Sequence, residues 1–125
     1  MIFKIDPSSP KPVYQQIIDQ VKYAVAAGRL KEGDRLGSIR DVAVQTRVNR
    51  NTVARAYMDL EREGIIRSKT GQGSFISDGP DVSRSRAKRI LSDLIDDILV
   101  QAHHFRLSGE DVLNLFRERL DKLRL

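Results

Sequence analysis

Apolar side chains recur along this chain mostly at helical spacing, and only one stretch alternates instead. Val13, Ile17, Ile18, Val21, Ala24 and Val25 trace one face of a first helix. Ser9-Pro10-Lys11-Pro12 precedes it, where proline suits a first turn that needs no donor, and Gly28 closes it. "KEGDRLGS" then reads as a turn with a very short strand at Arg35-Leu36. Ser38, with Asp41 in a capping-box-like relation, starts a short second helix to about Thr46 that buries Ile39, Val42 and Ala43. Asn49 caps a third helix that runs to about Glu63 and stops at Gly64, with Val53, Ala56, Tyr57 and Leu60 facing inward. "GIIRSKTGQGSFIS" predicts two short strands joined by a Gly-containing turn. Helix, helix, turn, helix, hairpin is the layout of a winged helix-turn-helix domain.

"SDGPDVSRS" breaks the pattern at Gly79-Pro80 and suggests a boundary, giving a winged domain over 1–79 and a helical segment over 80–125. Beyond it, Ala87, Ile90, Leu91, Leu94, Ile95, Ile98, Leu99 and Ala102 form an apolar stripe at helical spacing. Ser108 with Asp111 opens a last helix carrying Val112, Leu113, Leu115, Phe116, Leu120 and Leu123. The expected fold is therefore mostly α with a small β-hairpin wing. Two amphipathic helices cannot enclose their own apolar faces, so a homodimer is expected to form through Ile90, Leu91, Leu94, Ile95, Ile98, Leu99, Leu113, Phe116 and Leu120. A two-fold dimer sets two third helices about 34 Å apart, or a multiple of that, and so matches an inverted repeat in DNA.

Charge adds a direction to this outline. The 125 residues carry a formal charge of +5, with most of the excess before Gly79, which favours a polyanionic partner without proving one. There is no cysteine, which excludes disulfides and thiolate metal sites. No apolar run is long enough to span a membrane and the N-terminus lacks a secretory pattern, so a cytoplasmic location away from membranes is the default.

The third helix sorts its residues by end. Asn49, Arg50, Asn51 and Thr52 form its front, while Asp59, Glu61 and Glu63 lie at its rear. Opposite the inward face stand Asn51, Arg55, Met58 and Arg62. Arg can grip guanine in a bidentate fashion, Asn can grip adenine, and Thr can meet a phosphate or a thymine methyl. The free amides of a helix N-terminus suit phosphate as well. Taken alone, the asparagines also read as simple caps and the arginines as a solvated face. The preceding short helix and following hairpin tip the reading toward DNA, with Lys69-Thr70-Gly71-Gln72-Gly73 as the wing tip.

The stretch from Gly28 to Ser77 resembles the GntR-type winged helix domain of bacterial transcription regulators, and "PVYQQIIDQVKYAVAAG" belongs to the same pattern. The spaced matches are G-x-L-x-x-G-D-x-L, S-x-R, N-x-N-T-V, L-E-x-E-G-I and G-x-G-[ST]-F. The resemblance implies DNA contacts from Arg40, from Asn49, Arg50, Asn51 and Thr52, and from Gly71 and Gly73, with Ser38 as a cap that can meet a phosphate. Three positions depart from the family pattern. Gly37 replaces a usual proline and loosens the start of the second helix; Ile39 replaces a common glutamate; Ala54 replaces a frequent arginine, leaving Arg55 to supply the charge. The short segment after Gly79 is similar to the YtrA-like branch, whose C-terminal helix pair serves dimerisation and whose members commonly regulate transport genes.

Rival chemistry is thin. His103-His104 has no third ligand placed by spacing, and Asp93, Asp96 and Asp97 lie on the polar side of the stripe, so no metal, cofactor or catalytic site is assigned. The residues thus point to a sequence-specific DNA-binding regulator, a repressor acting as a homodimer on a palindromic operator. A winged helix adaptor that binds proteins instead remains the alternative. The small-molecule effector is unknown from the residues; any such ligand is expected at a dimer cleft or between domains.

Overall fold

In the computed structural model, residues 1–79 and 82–125 are described, and they divide into two units, Met1–Gly79 and Pro80–Leu125. Pro80, part of the expected break, lies outside the described residues. The first unit runs α1 (Val13–Ala26), α2 (Ile39–Thr46), α3 (Arg50–Arg62), β1 (Ile66–Lys69) and β2 (Gly73–Ile76). Both α1 and α2 pack on α3, whose Val53, Ala56, Tyr57 and Leu60 are all buried. Around them gather Ile17, Ile18 and Val21 of α1, Val42 and Ala43 of α2, and Ile66 and Ile76 of the hairpin. At full burial each Leu or Ile side chain contributes about 1.5–3 kcal/mol.

Local chemistry sets the helix limits. Pro12 occupies the position before α1 with φ −55° and ψ 148°, and beyond the helix Gly28 turns to φ +75°. Ser38 accepts a 3.0 Å hydrogen bond from the Asp41 amide, but Asp41 returns none, so only half of the expected capping box forms. Ile39 is half-buried rather than buried, and packs against the margin of the core. The link between α2 and α3 contains no glycine; Arg47 itself takes the left-handed conformation, φ 57°.

β1 and β2 pair antiparallel, with Arg67 opposite Phe75 and Lys69 opposite Gly73. Ile66 and Ile76 point into the core while Arg67 and Lys69 face outward, as alternation along a strand requires. The segment before α2 pairs with the other edge of β2: Leu36 donates its amide to Ser74 at 2.9 Å, and Arg35 bridges Phe75. The expected short strand at Arg35-Leu36 is thus a single bridge.

The N-terminal arm is more ordered than periodicity suggests. Phe3 is buried in the core, 3% exposed. Three glutamines hold the backbone around it, each using one amide to both accept and donate: Gln45 on Phe3, Gln20 on Lys4 and Gln16 on Asp6.

In the second unit, Ser83 caps α4 (Arg84–His104) and Ser108 caps α5 (Gly109–Leu123). Both arms of the Ser108–Asp111 capping box form, at 3.1 and 2.8 Å, and the serine's hydrogen bonds lower the Asp111 pKa. Arg106, at φ 61°, reverses the chain between the helices. Only Ala102 and Val112 are buried in this hairpin.

Candidate nucleic-acid interface

The first turn of α3 is built by its cap. The Asn49 side chain accepts from the Asn51 amide at 2.8 Å, so its oxygen is committed to the helix. Asn49 therefore has its amide nitrogen left for a partner. Arg50 and Asn51 are exposed and Thr52 is half-buried, and their side chains make no hydrogen bond or ion pair among the described residues. No acid stands in this turn, so the partial positive charge of the helix end is unopposed. Arg40 of α2 and Arg47 of the connecting turn are likewise exposed and lack a carboxylate partner among the described residues.

The rear of α3 is the reverse. Asp59 holds Arg62 at 2.9 Å, Glu63 holds Lys22 at 2.9 Å, and Glu61 accepts from Ser68. Acids are engaged at one end, and at the other the cations have no carboxylate partner among the described residues.

Arg55 differs from the expectation of a free charge. Its guanidinium lies over the ring of Tyr14, 3.8 Å from the centroid, so α1 holds it in place. Tyr14 did not stand out in the sequence, because it acts through a tertiary neighbour. Gly37 also gains an unexpected tie: the Tyr57 hydroxyl donates to its carbonyl, and a Cβ at Gly37 would come within 3.1 Å of Val42.

At the wing, the Gln72 amide bonds the Lys69 carbonyl at 2.9 Å and closes a turn through Thr70 and Gly71. Gly71 at φ +74° and Gly73 at φ +109° occupy backbone space that side chains disfavour. Lys69, Thr70, Gly71 and Gln72 are exposed, Gly73 is half-buried, and the Lys69 ammonium sits 4.8 Å from the Phe75 ring centroid.

In the second unit, His103 and His104 are exposed, and His104 packs edge-on against Phe105. Asp93, Asp96 and Asp97 are exposed too. The nine residues expected at a dimer contact, Ile90 to Leu99 on α4 and Leu113, Phe116 and Leu120 on α5, are 40–57% exposed. A concavity of about 340 Å³ opens between the helices, lined by Ile98, Ala102, Val112 and Phe116 among others. No helix among the described residues is long and apolar enough to cross a membrane.

Comparison with known proteins agrees with this anatomy. Residues 13–76 match the model of the bacterial regulatory proteins, gntR family. The chain is 38% identical to the HTH-type transcriptional repressor YtrA of Bacillus subtilis over 94% of this chain and 91% of that protein. Among solved structures, a transcriptional antiterminator from Listeria monocytogenes is 32% identical, with a TM-score of 0.80 covering 98% of this chain and 92% of that one. YtrA from Sulfolobus acidocaldarius, a GntR-family transcription factor, is 30% identical with a TM-score of 0.63, covering 98% of this chain and all of the other.

Proposed function

The chain belongs to the gntR family of bacterial regulatory proteins, and from that premise we propose that it is a homodimeric repressor that reads a palindromic operator with the first turn of α3. One observation carries the reading. Arg40, Arg47 and Arg50, on α2, the connecting turn and the first turn of α3, are exposed without a carboxylate partner among the described residues, while the acids of α3 are held at its rear. Such a charge division is wasted on solvent and suits a polyanion.

Within that reading, Arg50 and Asn51 take base edges, and Thr52 takes a thymine methyl or a phosphate. Ser38, Arg40, Asn49 and Arg55 take the backbone. Lys69, Thr70, Gly71, Gln72 and Gly73 bring the wing into the adjacent groove. The exposed apolar faces of α4 and α5 support a second copy as their cover, which supplies the two-fold axis of a palindrome. Repression is the activity named for the Bacillus relative and is carried here by similarity.

Selection of bound duplexes from a random pool tests the palindrome directly, through the symmetry and spacing of the winners. On the selected operator, Arg50→Ala is expected to weaken binding by about 1–3 kcal/mol, with a smaller loss on random duplex. Equal losses on both would contradict base reading by Arg50. A chain that holds no duplex even at low salt favours the adaptor.

A further inference from the structure

Gly73 sits at the centre of an arrangement that the wing tip does not explain. A Cβ there would lie 3.0 Å from Nε of Arg35 and 3.3 Å from a terminal nitrogen of the same side chain. The guanidinium therefore rests against the bare backbone of Gly73. Arg35 gets there because it bridges Phe75 on the edge of β2 that faces away from β1. Residues directly opposite one another in a sheet point to the same side, so Arg35, Phe75 and Arg67 share one row on the outward face. Lys69 and Gly73 form the next row. The Arg35 side chain crosses from the first row into the second.

The two cations of this face differ from their neighbour. Arg67 is 3.4 Å from Asp78, whereas Arg35 and Lys69 have no carboxylate partner among the described residues. Each is nonetheless located by contact: the guanidinium by Gly73, the ammonium by the Phe75 ring. Lys69 pairs with Gly73 in register from one side, and Arg35 reaches Gly73 from the other edge of β2, so two cations flank a residue without a side chain, a setting that suits an anion.

We propose that the outward face of the wing is a phosphate site, in which Arg35 and Lys69 grip a backbone phosphate of duplex DNA across Gly73. This rests on the DNA-binding reading above and extends it from the wing tip to the sheet face. The guanidinium fork matches two phosphate oxygens, and the ammonium supplies a compact charge from the other side. Because both side chains are already held, little rotamer freedom is lost on binding.

The test is a salt titration of the full chain on the selected operator and on a random duplex, read by fluorescence anisotropy. Arg35→Ala and Lys69→Ala are each expected to lower the slope of log K against log salt by about 1. Each should weaken both duplexes by the same factor, since a phosphate contact carries no sequence. Arg35→Gln, which keeps the length of the side chain, should give the same slope and guards against a folding defect. Lys122→Ala, which removes one charge from α5, should leave the slope at the wild-type value. Wild-type slopes for the Arg35 and Lys69 variants would overturn the site, as would an equal drop for Lys122→Ala, which would show only a count of charges. A wild-type chain that retains neither duplex would instead sink the DNA-binding reading itself.

Discussion

The Tyr57 hydroxyl donates a 2.5 Å hydrogen bond to the carbonyl of Gly37, joining the middle of α3 to the residue before the α2 cap. The phenol is otherwise buried, and burial pushes its pKa up from 10.0 to about 12. Tyr57→Phe removes the bond but keeps the packing, and is expected to cost about 1 kcal/mol in urea denaturation at neutral pH. The folded chain holds this proton to higher pH than the unfolded chain does. The contribution is therefore complete below pH 10.0 and is lost as pH rises toward about 12. The stability gap between wild type and Tyr57→Phe should narrow across that window; a gap that stays constant would show that the phenol is not shielded.

Arg55 over Tyr14 makes a second link, from α3 to α1. Such contacts contribute about 0.5–1 kcal/mol when exposed. In a double-mutant cycle, Tyr14→Ala should destabilise the wild-type chain by more than it destabilises Arg55→Ala, by about that amount. Additive losses would mean that the ring and the guanidinium do not interact.

Phe3 gives the largest predicted loss. Removing a buried phenylalanine costs about 3–5 kcal/mol, so Phe3→Ala should sharply lower the denaturation midpoint. Gln45→Ala, which releases two backbone hydrogen bonds of Phe3, should cost about 1–3 kcal/mol. If the midpoint of Phe3→Ala matches that of wild type, the arm does not stay docked in solution.

That arm also marks where sequence reading stops. Periodicity located α3, because Val53, Ala56, Tyr57 and Leu60 repeat along one element and face one core. It passed over Phe3 and Ile5, a pair two residues apart that is too short to mark an element, and over glutamines whose partners lie up to 42 residues away. The front of α3 was legible because charge and cap residues are local. The seats of Arg35 and Arg55 were not, since a guanidinium is located by what it lies against, and Gly73 and Tyr14 are distant in sequence. Arg47 carried no signal either: a left-handed turn usually advertises itself by glycine, and this one does without.

The exposed faces of α4 and α5 lead to the last prediction. Leu94 and Ile98 stand one turn apart, 53% and 43% exposed, in a stripe continued by Leu91 and Ile95. Covering the nine such side chains of each copy yields on the order of 1.5–3 kcal/mol for each one fully buried, against an association cost of about 4–15 kcal/mol. A dimer at micromolar concentration is therefore expected, with twice the 14.2 kDa mass of the chain in sedimentation. Leu94→Asp or Ile98→Asp places a carboxylate where the partner's apolar face would lie, and a buried unpaired charge is costly enough to split the pair. The variant should sediment at 14.2 kDa with its helix content intact. It should also lose operator affinity far more than affinity for a single half-site. Wild type sedimenting at the monomer mass with and without operator would remove the dimer, and the palindrome would go with it.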